Sequence, residues 1–158
     1  MARLFQIFNR VRNGHGSVQE ITDEREFFEA AKSSRRLVAL FYRTGSAVCD
    51  SMVQHTRRLA ESHMETKFLT IDVAKTPFLV DRLDIFVLPT MVTIEEGSTK
   101  NKFKGYDAFG GTANIHTGVI ERVLKSVGAL DKTPIAEGSG AQDEQMEETG
   151  NDSDLDWE

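Results

Sequence analysis

Residues 37–52 read Leu-Val-Ala-Leu-Phe-Tyr-Arg-Thr-Gly-Ser-Ala-Val-Cys-Asp-Ser-Met, and this stretch decides the fold of the chain. Its first six residues are an unbroken apolar run between Arg36 and Arg43. Such a run is typical of a strand that is buried on both faces of a sheet. We therefore predict a central strand over residues 37–42.

A helix is predicted to follow this strand through a tight turn. Thr44, Gly45 and Ser46 supply turn and N-cap chemistry. Beyond them the buried positions recur with helical spacing, at Cys49, Met52, Val53, Thr56, Leu59, Ala60 and His63. Free backbone N–H groups and the helix dipole stabilise negative charge where a strand feeds a helix. The Ser46-Ala47-Val48-Cys49 turn is therefore the first place to look for function.

Cys49 is the only cysteine among 158 residues, a length that allows one sizeable core. A single cysteine excludes an intramolecular disulfide, a cysteine-based zinc cluster and a two-cysteine redox cycle. Cys49 is either a redox or peroxide-sensing thiol or a small apolar side chain packed in the helix. We favour packing, because free cysteines are among the most buried residues. Ser46 lacks a partner base in the neighbouring sequence, which favours an N-cap role over a nucleophile.

The net charge of −6 is unevenly distributed along the chain. Residues 131–158 hold ten acids and one base, whereas residues 1–130 hold fifteen acids and eighteen bases. Large apolar side chains are rare in residues 131–158, which predicts a disordered acidic tail. Within it, Ser153 is a possible site for an acid-directed kinase. Trp157 is either a short linear anchor or part of a solubilising segment.

Residues 1–13 are predicted to form a basic amphipathic helix. One helical face carries apolar side chains and the other is rich in arginine, the residues being Leu4, Phe5, Phe8 and Val11 against Arg3, Arg10 and Arg12. This helix is either a docking element or a mitochondrial presequence, and we favour docking. No apolar run approaches the roughly 18 residues that span a bilayer, so no membrane partner is predicted.

The central domain is predicted to cover residues 14–130. A flexible break is predicted at Asn13-Gly14-His15-Gly16. A strand over 17–21 follows, then a helix from 22 with Phe27, Phe28 and Ala31 buried, and then the strand and helix described above. The rest of the domain is predicted to contain a strand over 67–72, a helix over 77–83, a hairpin of strands 91–95 and 102–106, and a helix over 117–127. This order predicts an α/β fold whose central mixed β-sheet is flanked by helices on both faces.

Two sets of polar residues could form binding sites. The arginines 35, 36, 43, 57 and 58 are either one basic face for an acidic partner or an ordinary solvated surface, and the absence of interleaved aromatic residues argues against nucleic acid. The histidines lack metal-ligand spacing, so we predict surface or packing roles and no metal site, for His15, His55, His63 and His116. Phosphate-binding glycine motifs are absent, and no cofactor is predicted.

Several of these features together resemble the thioredoxin superfamily. They are the end of the 37–42 strand, the Ser-x-x-Cys turn, the segment at residues 85–90 and the hairpin that follows. In this resemblance Ser46 stands where the attacking cysteine of Trp-Cys-Gly-Pro-Cys stands, and Cys49 stands at the resolving position. Pro89 matches the proline that is cis in that fold. The resemblance therefore implies a thioredoxin-like fold without its dithiol chemistry.

A closer similarity is to the phosducin-like and thioredoxin domain-containing protein 9 group, over about residues 14–128. The matching blocks arrive in order, at residues 14–16, 19–21, 27–28, 41–43, 63–69, 75–79, 105–107 and 109–111. Members are non-catalytic cochaperones that bind the cytosolic chaperonin and influence the folding of actin and tubulin. The resemblance thus implies a cytoplasmic protein-binding module that is no enzyme, with the family's longer N-terminal helical region reduced to residues 1–12. The alternative is a monothiol thioredoxin-like redox protein that uses Cys49 with an external thiol.

Overall fold

A computed structural model of the chain describes residue 4 and residues 10–112 and 114–131. The predictions for residues 1–13 and 131–158 therefore lie largely outside the described residues. Of the predicted N-terminal helix, residues 10–12 are described and are helical. Asp131 is the last residue described.

The core of the fold is a mixed sheet. Its strands are β1 (Val18–Ile21), β2 (Arg36–Tyr42), β3 (Lys67–Asp72), β4 (Thr90–Glu95) and β5 (Ser98–Lys104). Their spatial order is β1-β3-β2-β4-β5. β1, β3 and β2 are parallel, whereas β4 runs antiparallel to β2 and to β5. The predicted central position of the 37–42 strand is confirmed.

Helices cover both faces of this sheet, as predicted. They are α1 (Glu24–Ser33), α2 (Ala47–Ser62), α3 (Pro77–Arg82) and α4 (Thr117–Ser126), with short 3-10 turns at Val73–Lys75 and Asp107–Phe109. α1 begins at its N-cap Asp23, whose carboxylate accepts from the Arg25 N–H at 2.9 Å. α3 begins with Pro77, because proline is pre-organised for the first helical position.

Alternating side chains of β2 divide the core into two clusters. Val38 and Leu40 face α2 and α4, and each is 0 % exposed. Leu37 and Phe41 face the opposite way, toward α1 and α3. Because successive side chains of a strand point to opposite faces, one continuous apolar run fills both clusters.

The structure corrects three of the predicted details. Phe28 is 43 % exposed and Ala31 is half-buried, because Phe27 and Ala30, three positions apart on α1, point into the core instead. The last strand begins at Ser98 and not at 102, since Glu96 and Gly97, with φ of 51° and 82°, form a two-residue hairpin turn. The 13–16 stretch is no flexible break, because His15 is buried and hydrogen-bonded on both ring nitrogens.

Candidate functional site

The turn between β2 and α2 is held by Ser46, the N-cap of α2. Its hydroxyl oxygen accepts a hydrogen bond from the Cys49 N–H at 3.3 Å, and its carbonyl accepts from the Asp50 N–H at 2.9 Å. The side chain thus satisfies one of the free donors of the first turn. Ser46 ends the strand-to-helix connection at the point where the family resemblance places a nucleophilic sulfur.

Cys49 lies within the first turn of α2 and is 1 % exposed. A thiol reacts as the thiolate and needs access for its partner. The Cys49 sulfur has no such access in the folded chain. Its burial counts against the monothiol alternative and is consistent with a packing role.

Pro89 immediately precedes β4, whose Thr90 pairs with Phe41 near the end of β2. The Leu88–Pro89 peptide bond is cis, the isomer that the resemblance implies. The Pro89 carbonyl accepts from the Gly105 N–H at 2.7 Å, and the Thr90 hydroxyl donates to the Val87 carbonyl. These bonds fasten the loop before β4 to the end of β5.

Apolar side chains surround the turn and are open to solvent. Val48 is 45 % exposed, Phe86 82 % and Val87 45 %, and we call these three residues the apolar face. The Tyr106 hydroxyl donates to the Val48 carbonyl at 2.8 Å. A Cβ placed on Gly105 would lie 3.9 Å from Val87 Cγ1. Consecutive residues 105 and 106 therefore bring Val48 and Val87 to one surface, with Phe86 next along the chain.

Phe86 and Val87 are exposed apolar residues that the sequence patterns did not single out. In the sequence they are part of the segment before a strand. The available signal was an apolar pair beside Pro89 and outside any predicted helix or strand. Such residues lack a core-facing element, so they are candidates for exposure.

Polar groups beneath the turn bind one another and offer no acid–base pair. Tyr42 donates to Glu20 Oε2 and Thr70 donates to Glu20 Oε1, both at 2.7 Å. Burial raises the pKa of Tyr42 well above its ordinary value, and the hydrogen bond to Glu20 and the charge of Glu20 raise it further. Thr44 donates to Asp72 at 3.2 Å. These bonds tie β1, β3 and β2 together and keep the Tyr42 phenol protonated.

Of the two alternatives for the arginines, the spacing along β2 counts against one basic face. Arg36 and Arg43 are separated by β2, which spans seven residues or about 23 Å. Arg36 pairs with Asp131 at 2.5 Å, whereas Arg35 lies 3.8 Å from the carboxylates of both Glu95 and Glu96. Arg35 and Arg36 therefore lie at the start of β2, and Arg43 lies beyond its end.

The histidines are packing residues in three of four cases. His15, His55 and His63 are buried, whereas His116 is exposed. Across residues 10–112 and 114–131, no group of three or more His, Cys, Asp or Glu side chains is arranged to hold a metal ion. The helices in that same part of the chain are also too short or too polar to cross a membrane.

Comparisons with known proteins agree with this geometry. The thioredoxin family model matches residues 17–113. A mutant thioredoxin from Halobacterium salinarum superposes with a TM-score of 0.61 at 16 % identity, covering 72 % of this chain and 92 % of that one. Thioredoxin f from spinach chloroplast superposes with a TM-score of 0.59 at 22 % identity, covering 73 % and 87 %. These neighbours establish the thioredoxin fold.

Sequence relatives define the group more narrowly. Phosducin-like protein 3 of Drosophila melanogaster is 38 % identical over 121 residues, which are 77 % of this chain and 56 % of that protein. The chain belongs to the phosducin-like group of the thioredoxin family. Human thioredoxin domain-containing protein 9 is 38 % identical over 118 residues, which are 75 % of this phosducin-like chain and 52 % of the human protein. The chain thus spans about half the length of these curated relatives.

The turn from Ser46 to Cys49 of this phosducin-like chain is expected to be inactive in dithiol exchange. Cys49 is buried and the attacking position holds Ser46, whose hydroxyl is not ionised at neutral pH. Insulin reduction should stay at the background rate, and turnover above background would contradict this.

The Ser46→Cys variant is expected to form a disulfide with Cys49 on oxidation, because the two positions then have the Cys-x-x-Cys spacing. Loss of the N-cap should cost about 1 kcal/mol of stability. Intact mass and a thiol count measure the bond. Ser62→Cys, at the far end of α2, is the matched control and should leave both thiols free.

Proposed function

We propose that this phosducin-like domain is a non-catalytic cochaperone or adaptor that binds the cytosolic chaperonin and modulates the folding of actin- and tubulin-class clients. The observation that carries the proposal is the apolar face beside a turn whose attacking position is Ser46. Exposed apolar side chains would supply a binding surface there, and Ser46 stands where the resemblance places the reactive sulfur. Binding without bond exchange is the function that this arrangement supports best.

The composition of the apolar face supports a protein partner. Phe86 exposes 82 % of its surface, and a buried aromatic anchor is a typical source of binding energy at interfaces. Val48 and Val87 add two smaller exposed apolar side chains. Exposed apolar groups gathered at one loop cluster mark interaction sites on domains of this size.

Charge on the N-terminal stretch would add long-range steering from outside the apolar face. Arg3, Arg10 and Arg12 are three cations in residues 1–13, and they would steer association toward an acidic surface of the chaperonin. Because that partner is cytosolic, the proposed location is the cytoplasm. The arginines of residues 1–13 would support the mitochondrial alternative. Phosphorylation at Ser153 would add negative charge to an already acidic segment.

Affinity capture of chaperonin subunits tests the proposal. The 158-residue chain should retain them at moderate salt. Phe86→Asp should weaken retention about 30-fold, because loss of an interface anchor costs about 2 kcal/mol. Phe28→Asp is the matched control, since Phe28 is also exposed but lies on α1. Deletion of residues 1–12 should weaken retention in a salt-dependent manner.

Two results would contradict the cochaperone proposal. One is that the 158-residue chain retains no chaperonin subunits. The other is that Phe86→Asp and Phe28→Asp behave alike. Rapid reaction of Cys49 with a thiol reagent in the native state would instead support the monothiol alternative.

A further inference from the structure

Two cavities meet at the end of the sheet opposite the Ser46 turn. One measures about 390 Å³ and is lined in part by Arg10 and Arg36. The other measures about 620 Å³, lies along α1 and is lined in part by Phe28 and Lys32. Both are bounded by Ser34 and Arg35, so they are adjacent, and we call the pair the α1 groove.

The walls of the α1 groove are predominantly basic. Its cations are Arg10, Lys32, Arg35 and Arg36, and its carboxylates are those of Glu65 and Glu96. The Glu65 carboxylate is already bound by His63 at 2.7 Å, and Glu96 lies 3.8 Å from Arg35. Arg36 is paired with Asp131 at 2.5 Å, and Arg35 lies 3.8 Å from both Glu95 and Glu96. The excess positive charge of the α1 groove is therefore carried by Arg10 and Lys32.

The floor of the groove along α1 is apolar. Phe28 is 43 % exposed there, although its ring packs edge-on against Phe27 at 5.4 Å. Ala31 lies beside it on the same helix. A cavity of this size falls in the range of about 300–1,000 Å³ that ligand sites occupy. A peptide segment with an aromatic side chain and carboxylates on neighbouring residues would fit both the apolar floor and the basic walls.

Residues 132–158 have this chemistry and leave the described domain at the groove. They hold nine acids, one lysine and the sole tryptophan, in the sequence Asp152-Ser-Asp-Leu-Asp-Trp157-Glu158. Asp131, which precedes them, pairs with Arg36 at 2.5 Å and donates its N–H to Glu65 at 3.2 Å. A coil of 26 residues from Asp131 to Trp157 has a reach of about 28 Å, ample for the neighbouring cavity.

We propose that residues 152–158 bind in the α1 groove of the same chain, with Trp157 against Phe28 and the carboxylates toward Lys32. The covalent connection at the rim makes this intramolecular, with an effective concentration of order millimolar for a short flexible linker. A separate acidic peptide would have to compete with that concentration. The part of the groove formed by Phe28 and Lys32 lies apart from the apolar face, so the test of this proposal does not depend on chaperonin binding.

Intrinsic fluorescence tests the proposal, because Trp157 is the only tryptophan and reports on this segment alone. Acrylamide quenching is measured on the 158-residue chain and on a peptide of residues 132–158. At about 0.01 M salt, where charges act over about 30 Å, the quenching constant of the chain should be about half that of the peptide. At about 1 M salt, where the screening length is about 3 Å, the two constants should converge.

Matched substitutions locate the contact. Phe28→Ala and Lys32→Glu should each bring the low-salt quenching constant of the chain to that of the peptide. Phe86→Ala and Lys75→Glu change an exposed aromatic and an exposed lysine outside the groove, and should leave the protection intact. Circular dichroism of each variant checks that the fold persists.

Three outcomes would overturn the proposal. The first is a 158-residue chain that is quenched like the peptide at low salt. The second is protection that survives both Phe28→Ala and Lys32→Glu, which would place Trp157 elsewhere. The third is protection that grows with protein concentration, which would assign the groove to a second copy of the chain.

Discussion

Replacing His63 with alanine is expected to lower the free energy of unfolding by about 3–5 kcal/mol. The imidazole lies between two carboxylates, with Nδ1 at 2.7 Å from Glu65 and Nε2 at 2.5 Å from Glu121. The Glu65 side chain is 1 % exposed, so the alanine variant leaves a buried carboxylate without an opposite charge. Urea unfolding at pH 6 measures the difference.

His116→Ala is the matched control for this substitution. His116 is exposed at the start of α4, and its loss should change the free energy of unfolding by less than about 0.5 kcal/mol. A His63→Ala effect below about 1 kcal/mol would show that the ion pairs contribute no more than surface pairs do.

The same cluster predicts a loss of stability at alkaline pH. Burial alone would lower the pKa of His63, but hydrogen bonds to Glu121 and Glu65 outweigh it and raise the pKa to about 9. The stabilisation is therefore complete below the ordinary value of 6.5 and is lost as the pH rises through about 9. A neutral ring donates only one N–H, so one of the carboxylates loses its donor.

The magnitude of this alkaline loss follows from the shift in the pKa of His63, and it is about 3 kcal/mol. Unfolding midpoints measured between pH 6 and pH 10 should fall for the wild type and stay nearly flat for His63→Gln. Equal slopes for the two proteins would assign the loss to another group. The stabilisation by this cluster is also lost at acid pH. Burial would raise the pKa of Glu65, but its hydrogen bond to His63 outweighs burial and lowers that pKa below the ordinary 4.5. The hydrogen bond from His63 lowers the pKa of Glu121 in the same way.

His15→Ala is the second substitution with a large expected cost, about 2–4 kcal/mol. His15 Nδ1 donates to the Met64 carbonyl at 2.7 Å, and Nε2 accepts from the Ser34 hydroxyl at 2.8 Å. The alanine variant leaves Ser34, which is 5 % exposed, without this partner and creates a cavity. Gly14 and Gly16 on either side of His15 have φ of 88° and 98°, a backbone conformation that glycine adopts without strain.

Ser34→Ala is the matched control for His15, since it removes one of the two hydrogen bonds and leaves the imidazole in place. It should cost about 1 kcal/mol. Chemical unfolding of both variants at pH 7.5 measures the difference. A His15→Ala effect within about 0.5 kcal/mol would mean that the N-terminal segment is not anchored at this point.

The pH dependence from His15 has the opposite sign to that from His63. Burial lowers the pKa of His15, and the charges of Lys67 and Arg10 lower it further, against the Met64 hydrogen bond. The unfolded chain then binds more protons, so stability is lost as the pH falls below 6.5. His55, whose pKa is also lowered by burial, contributes to the same acid limb. His15→Gln should therefore reduce the acid slope without abolishing it.

Local sequence determined the elements of this domain and the loss of its dithiol chemistry. The apolar run of residues 37–42 requires a strand buried on both faces, and β2 occupies the centre of the sheet for that reason. Ser46 caps α2 because its hydroxyl reaches a free N–H three residues on. A chain with one cysteine cannot form an internal disulfide in any fold. These properties depend on neighbours in sequence or on composition alone.

Tertiary structure alone decided which distant residues share a site. Glu121 is 58 positions from His63, and Ser34 is 19 from His15, so no periodicity could pair them. The apolar face likewise depends on residues 105 and 106, because Tyr106 bonds the Val48 carbonyl and Gly105 lies near Val87. The exposure of Phe28 followed from the choice of Phe27 as the core-facing residue. In each case the deciding energy is a buried contact between elements, and which elements meet is set by the sheet order and not by the local chain.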